Sequence, residues 1–100
     1  MKISVIIPVY NRPQMVKRAI LSVLNQTEVA HEVLVINDGS TDETVQVLAS
    51  FEPHIHVIHQ LNRGVSAARN AGIKQASGDW LALLDSDDAV SYTHLTLPTN

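Results

Sequence analysis

The chain has 100 residues, 45% of them apolar, with a net charge of −3 and no cysteine. This length allows one small domain or part of a larger one, and the lack of cysteine excludes a disulfide framework and a thiolate metal site. The acidic balance provides no basic surface for nucleic acid, so we expect no nucleic-acid partner.

The first two predicted elements are a buried strand and a helix. Ile3–Val9 is apolar and β-branched without helical spacing, which is typical of a parallel strand buried on both faces. Pro8 has no N–H to donate and should mark the end of this strand. A helix should follow over about residues 12–25, with Asn11 as its N-cap and Gln14 completing a capping box. Its predicted buried stripe consists of Val16, Ile20, Val23 and Leu24.

The second strand and helix repeat this pattern. Glu32–Asp38 predicts another buried strand, which ends in a turn signal at Gly39. Ser40 and Glu43 predict a capping box for a helix over about residues 42–50. The inner face of that helix should contain Val45 and Leu48.

The last elements lead into a concentrated acidic stretch. His54–His59 predicts a third strand, and residues 65–76 predict a helix of small residues that includes Gly72. A helical glycine costs roughly 1 kcal/mol relative to alanine, so Gly72 should mark a close approach to a neighbouring element. The apolar run Trp80–Leu84 predicts a fourth strand, and it is followed at once by Asp85, Asp87 and Asp88.

The order β-α-β-α-β-α-β predicts an α/β fold with a mostly parallel sheet and right-handed crossovers. Ligands bind such sheets at the carboxyl ends of the strands, near a switch in strand order. Three polar clusters fall at predicted strand ends: Tyr10–Asn11, Asp38–Ser40 and Asp85–Asp88. Three carboxylates so close together repel one another unless a cation or hydrogen-bond donors compensate, and oxygen clusters suit Mg²⁺ or Mn²⁺. A solvated acidic turn is the alternative.

Two other features have a structural and a functional interpretation. His54 and His56 would share one face of a strand while His59 takes the other, which favours a polar edge strand over a metal site. Trp80 begins a buried strand, which favours packing over a stacking platform. The first strand–helix turn contains no glycine, which disfavours a dinucleotide-binding G-x-G-x-x-G motif. It also lacks the acidic residues that a receiver-like signalling domain needs to hold Mg²⁺.

Four segments, in order, resemble the family 2 glycosyltransferases, which have the GT-A fold. They are Ser4–Asn11 (SVIIPVYN), Ser22–Thr27 (SVLNQT), Glu32–Asp42 (EVLVINDGSTD), and Asn62–Gly72 together with Gly78–Trp80 and Leu84–Asp88. The resemblance covers roughly residues 2–89 and predicts a Rossmann-like, partial GT-A donor-binding half-domain over residues 1–89. Residues 90–100 show no clear period and are expected to be a foreign or disordered tail.

The resemblance implies a nucleotide-diphosphate donor, commonly a UDP-sugar, and a carbohydrate or lipid-linked acceptor. Pro8, Tyr10 and Asn11 match the strand end that lines the base pocket, although Asn11 is expected to act mainly as a cap. Asp38 matches the position that hydrogen-bonds the base, with an Asx-turn or a helix cap as the alternative. Arg69 matches an arginine that holds the nucleotide region, with an exposed helix ion pair as the alternative.

The resemblance also implies a Mn²⁺ or Mg²⁺ site formed by Asp85, Asp87 and Asp88. In the family the last aspartate is the direct ligand, here Asp88, and Asp87 lies near the ribose. The physical chemistry agrees, because a divalent ion held by one or two carboxylates stabilises the charge of a leaving diphosphate.

The resemblance finally implies an inverting transfer, which needs a general base for the acceptor hydroxyl. In the family that carboxylate lies well beyond the D-x-D motif, so we expect it downstream of this chain and expect the polypeptide to be inactive alone. A nucleotide-binding fragment without catalytic activity is the alternative. A sheet without its neighbouring strands would also expose an edge for self-association.

No apolar run is long enough to span a bilayer, and no signal peptide is visible at Met1–Lys2. A cytoplasmic location is therefore expected, at the inner face of the membrane in a full-length protein.

Overall fold

The computed structural model describes residues 2–25 and 30–85. The elements are β1 (Ile3–Val9), α1 (Pro13–Leu24), β2 (Ala30–Asp38), α2 (Thr44–Ala49), β3 (His56–Gln60), α3 (Val65–Gln75) and β4 (Trp80–Leu83). The predicted order of strands and helices is confirmed. The largest differences are two residues: β2 begins two residues earlier than predicted, and α2 and β3 each begin two residues later.

The four strands form one sheet in the order β3-β2-β1-β4, and every described pair is parallel. The chain moves outward from β1 to β2 to β3, and it then crosses back to place β4 on the other side of β1. The direction of winding therefore reverses between β1 and β4. This reversal is the switch point at which ligands bind in open α/β sheets.

The helices cover both faces of the sheet, so β1 is buried throughout its length. One core layer joins Val5 and Ile7 of β1 to Val16 and Ile20 of α1. The opposite layer joins Ile6 of β1 to residues of β2, β4 and α3. Burial on both faces explains why the strand sequence is an unbroken apolar run rather than an alternating one.

Gly72 lies where α3 approaches the sheet most closely. A Cβ atom on this residue would lie 2.6 Å from Cγ2 of Ile6 and 2.8 Å from Cδ1 of Ile36. The prediction that a close approach explains the helical glycine is confirmed.

Pro8 ends one ladder of β1 but not the other. The carbonyl of Ile6 accepts a hydrogen bond from the amide of Leu84 at 3.0 Å, so the backbone groups of Ile6, and those of Pro8 two residues later, face β4. Pro8 has no N–H to extend that ladder. On the β2 side, β1 continues as far as Val9. The predicted strand end is therefore correct for the β4 side alone.

The predicted capping box of α1 is wrong. Arg12 precedes the helix at Pro13, and no side chain caps it. Asn11 instead has a φ of 49°, and its Oδ1 accepts a hydrogen bond from the amide of Thr41 at 2.8 Å. The amide of Asn11 donates to Oγ of Ser40 at 3.0 Å. Asn11 therefore connects two loops instead of capping the helix that follows it.

The predicted capping box and inner face of α2 also need correction. Glu43 precedes the helix without a side-chain cap, and Oδ1 of Asp42 accepts hydrogen bonds from the amide and hydroxyl of Thr44. Thr44 is fully buried, whereas Val45 is exposed. Leu48 is buried as predicted.

The histidines and Trp80 have structural positions. β3 is an edge strand with His56 and His59 exposed, as predicted for a polar edge. Trp80 packs against the core layer shared with α1, which confirms its packing role. None of the described helices combines the length and apolar character needed to cross a bilayer.

Candidate functional site

A cleft of about 390 Å³ opens at the carboxyl edge of the sheet, beside the switch point. Its described lining comes from the ends of β1 and β2, the segment after β4, and the starts of α1 and α3. The lining residues are Pro8, Val9, Tyr10, Arg12, Asp38, Val65, Ala68, Arg69 and Asp85. The structure therefore brings together five residues predicted from the sequence, from four separate segments. Their roles in binding stay predictions.

Asp38 is the most constrained polar residue of the cleft, with only 4% of its surface exposed. Its Oδ1 accepts hydrogen bonds from Nε2 of Gln60 at 2.7 Å and from the amide of Arg63 at 2.9 Å. Its Oδ2 accepts from the amide of Gly64 at 3.0 Å. Nδ2 of Asn62 donates to the Asp38 carbonyl at 3.1 Å. Asp38 thus holds the connection that leads into α3.

These contacts keep the Asp38 carboxyl ionised. Burial alone would raise its pKa, but the hydrogen bonds from Gln60, Arg63 and Gly64 outweigh burial, and the pKa lies below its ordinary value. An ionised carboxylate offers about four acceptor positions. The three hydrogen bonds from described residues leave one of these positions open, on Oδ2.

Arg69 and Asp85 form an ion pair across the cleft. Nη2 of Arg69 lies 2.6 Å from Oδ1 of Asp85, and the two side chains are 35% and 49% exposed. A pair this exposed contributes little to stability, on the order of 1 kcal/mol or less. Nε of Arg69 is buried and has no hydrogen-bond partner among the described residues. An acceptor atom of a ligand would satisfy this buried donor. A purely structural ion pair gives no reason to leave it unpaired.

The sequence analysis does not identify four of the lining residues: Val9, Arg12, Val65 and Ala68. The sequence predicts Arg12 only as the start of a helix, but its position directly after the strand-end pair Tyr10–Asn11 also indicates the cleft. Val65 and Ala68 lie in the first turn of α3, three residues apart and therefore on the same side of the helix.

The predicted metal motif is described only in part. Asp85 lies in the cleft, and its Oδ1 is bound to Arg69. Asp87 and Asp88 lie outside the described residues, as does the predicted tail 90–100. Among the described residues, no group of three or more histidine, aspartate or glutamate side chains could hold a metal ion. The carboxylate of Asp85 nevertheless supplies the hard oxygen donors that Mn²⁺ and Mg²⁺ prefer.

An open parallel sheet with a charged cleft at its switch point defines an α/β ligand-binding domain of the Rossmann-like class. The chain belongs to glycosyl transferase family 2, whose model matches residues 4–97.

Relatives of this chain are larger proteins. It is 47% identical to an uncharacterized glycosyltransferase of Rickettsia bellii over 98 residues, which cover 96% of this chain and 14% of that protein. It is 44% identical to the uncharacterized glycosyltransferase YibD of Escherichia coli over 92 residues, which cover 89% of this chain and 27% of that protein.

A solved structure shares the fold. Residues 1–349 of S. aureus TarS in complex with UDP-GlcNAc match with a TM-score of 0.76 and 33% identity, over 89% of this chain and 27% of that TarS fragment. The predicted partial GT-A fold is thereby confirmed. The chain spans between 14% and 27% of the length of these three proteins.

Proposed function

We propose that this chain is the donor-binding part of a metal-dependent, inverting glycosyltransferase that uses a UDP-sugar. The acceptor is a hydroxyl of a carbohydrate or a lipid-linked glycan, as in the synthesis of polysaccharide or other surface glycans. The observation that carries the proposal is the convergence of Tyr10, Asp38, Arg69 and Asp85 on one cleft. Membership of the family and the likeness to a TarS–UDP-GlcNAc complex support the same donor class.

The hydrogen bonding of Asp38 favours uracil as the base. One acceptor position remains on its carboxylate, and the imide of uracil offers a single N–H donor. Guanine would present two adjacent donors to the same group and leave one of them unpaired, at a cost of about 1–3 kcal/mol. Pro8 and Tyr10 form the wall of this part of the cleft.

Arg69 would contribute in two ways. Its Nη2 holds the Asp85 carboxylate at the cleft, and its buried Nε–H is available to an acceptor atom of the donor nucleotide. The ion pair and the nucleotide contact are therefore compatible, because they use different nitrogens of one guanidinium.

Asp85 and Asp88 would hold the divalent ion, with Asp88 as the direct ligand and Asp87 beside the ribose. A bound ion would offset the charge that the leaving diphosphate gains as the glycosidic bond breaks. The role of the described residues is to bind and orient the donor so that its diphosphate faces this acidic segment.

Several further parts of the proposal concern the polypeptide as a whole. We propose that residues 1–89 form the donor half-domain, that residues 90–100 are foreign to it, and that the general base lies downstream. The polypeptide alone should then turn over no UDP-sugar.

We also propose a cytoplasmic location. We further propose self-association through an exposed sheet edge, and sedimentation at several concentrations would measure that self-association.

The first prediction concerns metal-dependent donor binding. UDP titrated into the wild-type chain should bind more tightly with Mn²⁺ than without it, and Asp88→Ala should remove that difference because it deletes the direct ligand. Calorimetry or thermal shift measures both.

A matched control is Asp79→Ala, which removes one exposed carboxylate at the amino end of β4, away from the cleft. This variant should bind UDP as the wild type does. Equal metal dependence in wild type and Asp88→Ala would contradict the metal assignment. No binding of UDP to the wild type under any condition would contradict the donor site itself.

A further inference from the structure

Among the described residues, Arg12 is a cation of the cleft whose side chain has no partner. Its side chain lines the cleft and is exposed, and it makes no hydrogen bond or ion pair with a described residue. The first turn of α1 contains no acidic residue that could neutralise it.

The other charged groups of the described cleft already have partners. Asp38 is surrounded by the N–H groups of Gln60, Arg63 and Gly64, and Arg69 is paired with Asp85. Arg12 is therefore the one uncommitted cation among the described lining residues. A ligand that enters this cleft with negative charge would find its free electrostatic partner at Arg12.

The backbone on either side of Arg12 is held in place. Asn11 is bound on its side chain and its amide to Thr41 and Ser40, and Pro13 fixes its own φ at the start of α1. The Cα atom of Arg12 therefore has a fixed position at the edge of the cleft, so no backbone ordering is needed when the side chain meets a ligand. Its planar array of N–H donors matches phosphate oxygens two at a time.

We propose that Arg12 binds the diphosphate of the nucleotide donor. This inference rests on the proposed function, because it assigns a contact within the same donor site. The base would be recognised at Asp38 and Tyr10, whereas Arg12 would recognise the charge that distinguishes a nucleotide from its nucleoside.

The test compares UDP with uridine on variants of the 100-residue chain. Arg12→Ala should weaken UDP binding about tenfold, the lower end expected for a charge-assisted hydrogen bond at an exposed site, and should leave uridine within about twofold. Arg12→Lys should restore part of the UDP affinity, because it keeps the charge without the planar donor array. The loss caused by Arg12→Ala should shrink at high salt.

The matched control is Arg18→Ala, which removes one exposed cation from the same helix outside the cleft lining. It should leave both affinities unchanged. The inference is overturned if Arg12→Ala leaves UDP binding unchanged, or if it weakens UDP and uridine equally while circular dichroism shows a folded chain. A wild-type chain that binds neither ligand overturns the proposed function and this inference with it. A wild-type chain that binds UDP without help from Arg12 overturns the inference alone.

Discussion

The two ends of β2 each present a carboxylate that holds one end of α3. At the amino end, Oε2 of Glu32 accepts hydrogen bonds from Oγ of Ser4 at 2.6 Å and from the amide of Ser77 at 2.6 Å, just after the helix. At the carboxyl end, Asp38 accepts from the amides of Arg63 and Gly64, just before the helix. One strand thus clamps both ends of the same helix.

The two clamps differ in what lies beside them. The Glu32 clamp is completed by the buried Ser4, whose Oγ also accepts a hydrogen bond from the amide of Gly78 at 2.9 Å. None of these residues lines the carboxyl-edge cleft. Asp38 lines that cleft and keeps one acceptor position open. Under the proposed function, the same local chemistry serves stability alone at one edge of the sheet, and both stability and donor recognition at the other.

The largest effect is expected from Asp38→Ala, which removes the carboxylate at the carboxyl end of β2. The variant leaves the amides of Arg63 and Gly64 without their acceptor and should lower the free energy of unfolding by about 2–4 kcal/mol. It should also abolish detectable UDP binding, even at temperatures where the variant is folded. Urea unfolding and calorimetry measure the two effects. A variant that loses stability but keeps UDP affinity would show that Asp38 is a clamp only.

A smaller effect, on stability alone, is expected from Glu32→Gln. The amide retains one acceptor oxygen but loses the charge that strengthens the bonds from Ser4 and Ser77, so the free energy of unfolding should fall by about 1–2 kcal/mol. UDP affinity should stay within about twofold of wild type, because the residue lies outside the cleft lining. Glu52→Gln, an exposed carboxylate near the same end of the sheet, is the control and should change neither quantity. A loss of UDP affinity in Glu32→Gln would remove the contrast between the two edges.

The smallest effect is a change in pH dependence. Burial opposes ionisation of Glu32, but hydrogen bonds from Ser4 and Ser77 outweigh it and hold the pKa below its ordinary value. A lowered folded-state pKa stabilises the fold above the unfolded-state pKa of roughly 4, and this contribution is lost as the pH falls toward the folded-state pKa. Between pH 5 and 3, the wild type should therefore lose more stability than Glu32→Gln. Urea midpoints across that range measure the difference, and parallel curves would contradict it.

The strands and the position of the cleft could be predicted from the sequence. The runs Ile3–Val9 and Glu32–Asp38 are apolar and β-branched because they are buried on both faces, which leaves a strong local signal. Their polar ends then fall at one sheet edge by topology alone, which is why the sequence suffices to group Tyr10, Asp38 and Asp85.

The caps and the state of Asp38 could not be predicted in this way. Asn11 and Ser40 both match local capping patterns, but they bond to each other's loops across 29 residues of sequence. Such contacts depend on tertiary placement, which spacing rules do not contain. The choice between clamp and ligand contact for Asp38 likewise depends on counting acceptor positions, since a single carboxylate can supply both.

Pro8 has one more consequence. β4 pairs with β1 from Ile3 to Ile6, and the amide of Leu84 donates to the Ile6 carbonyl, but Pro8, two residues further on, has no N–H with which to extend this ladder. Asp85 follows the end of β4, whereas Asp38 ends β2, which pairs with β1 as far as Val9. Asp85, which lies beyond the last of these bonds, is instead held at the cleft by its ion pair with Arg69 of α3. In the described part of the chain, the missing N–H group of Pro8 thus leaves Asp85 tied to α3 through Arg69 and not to β1.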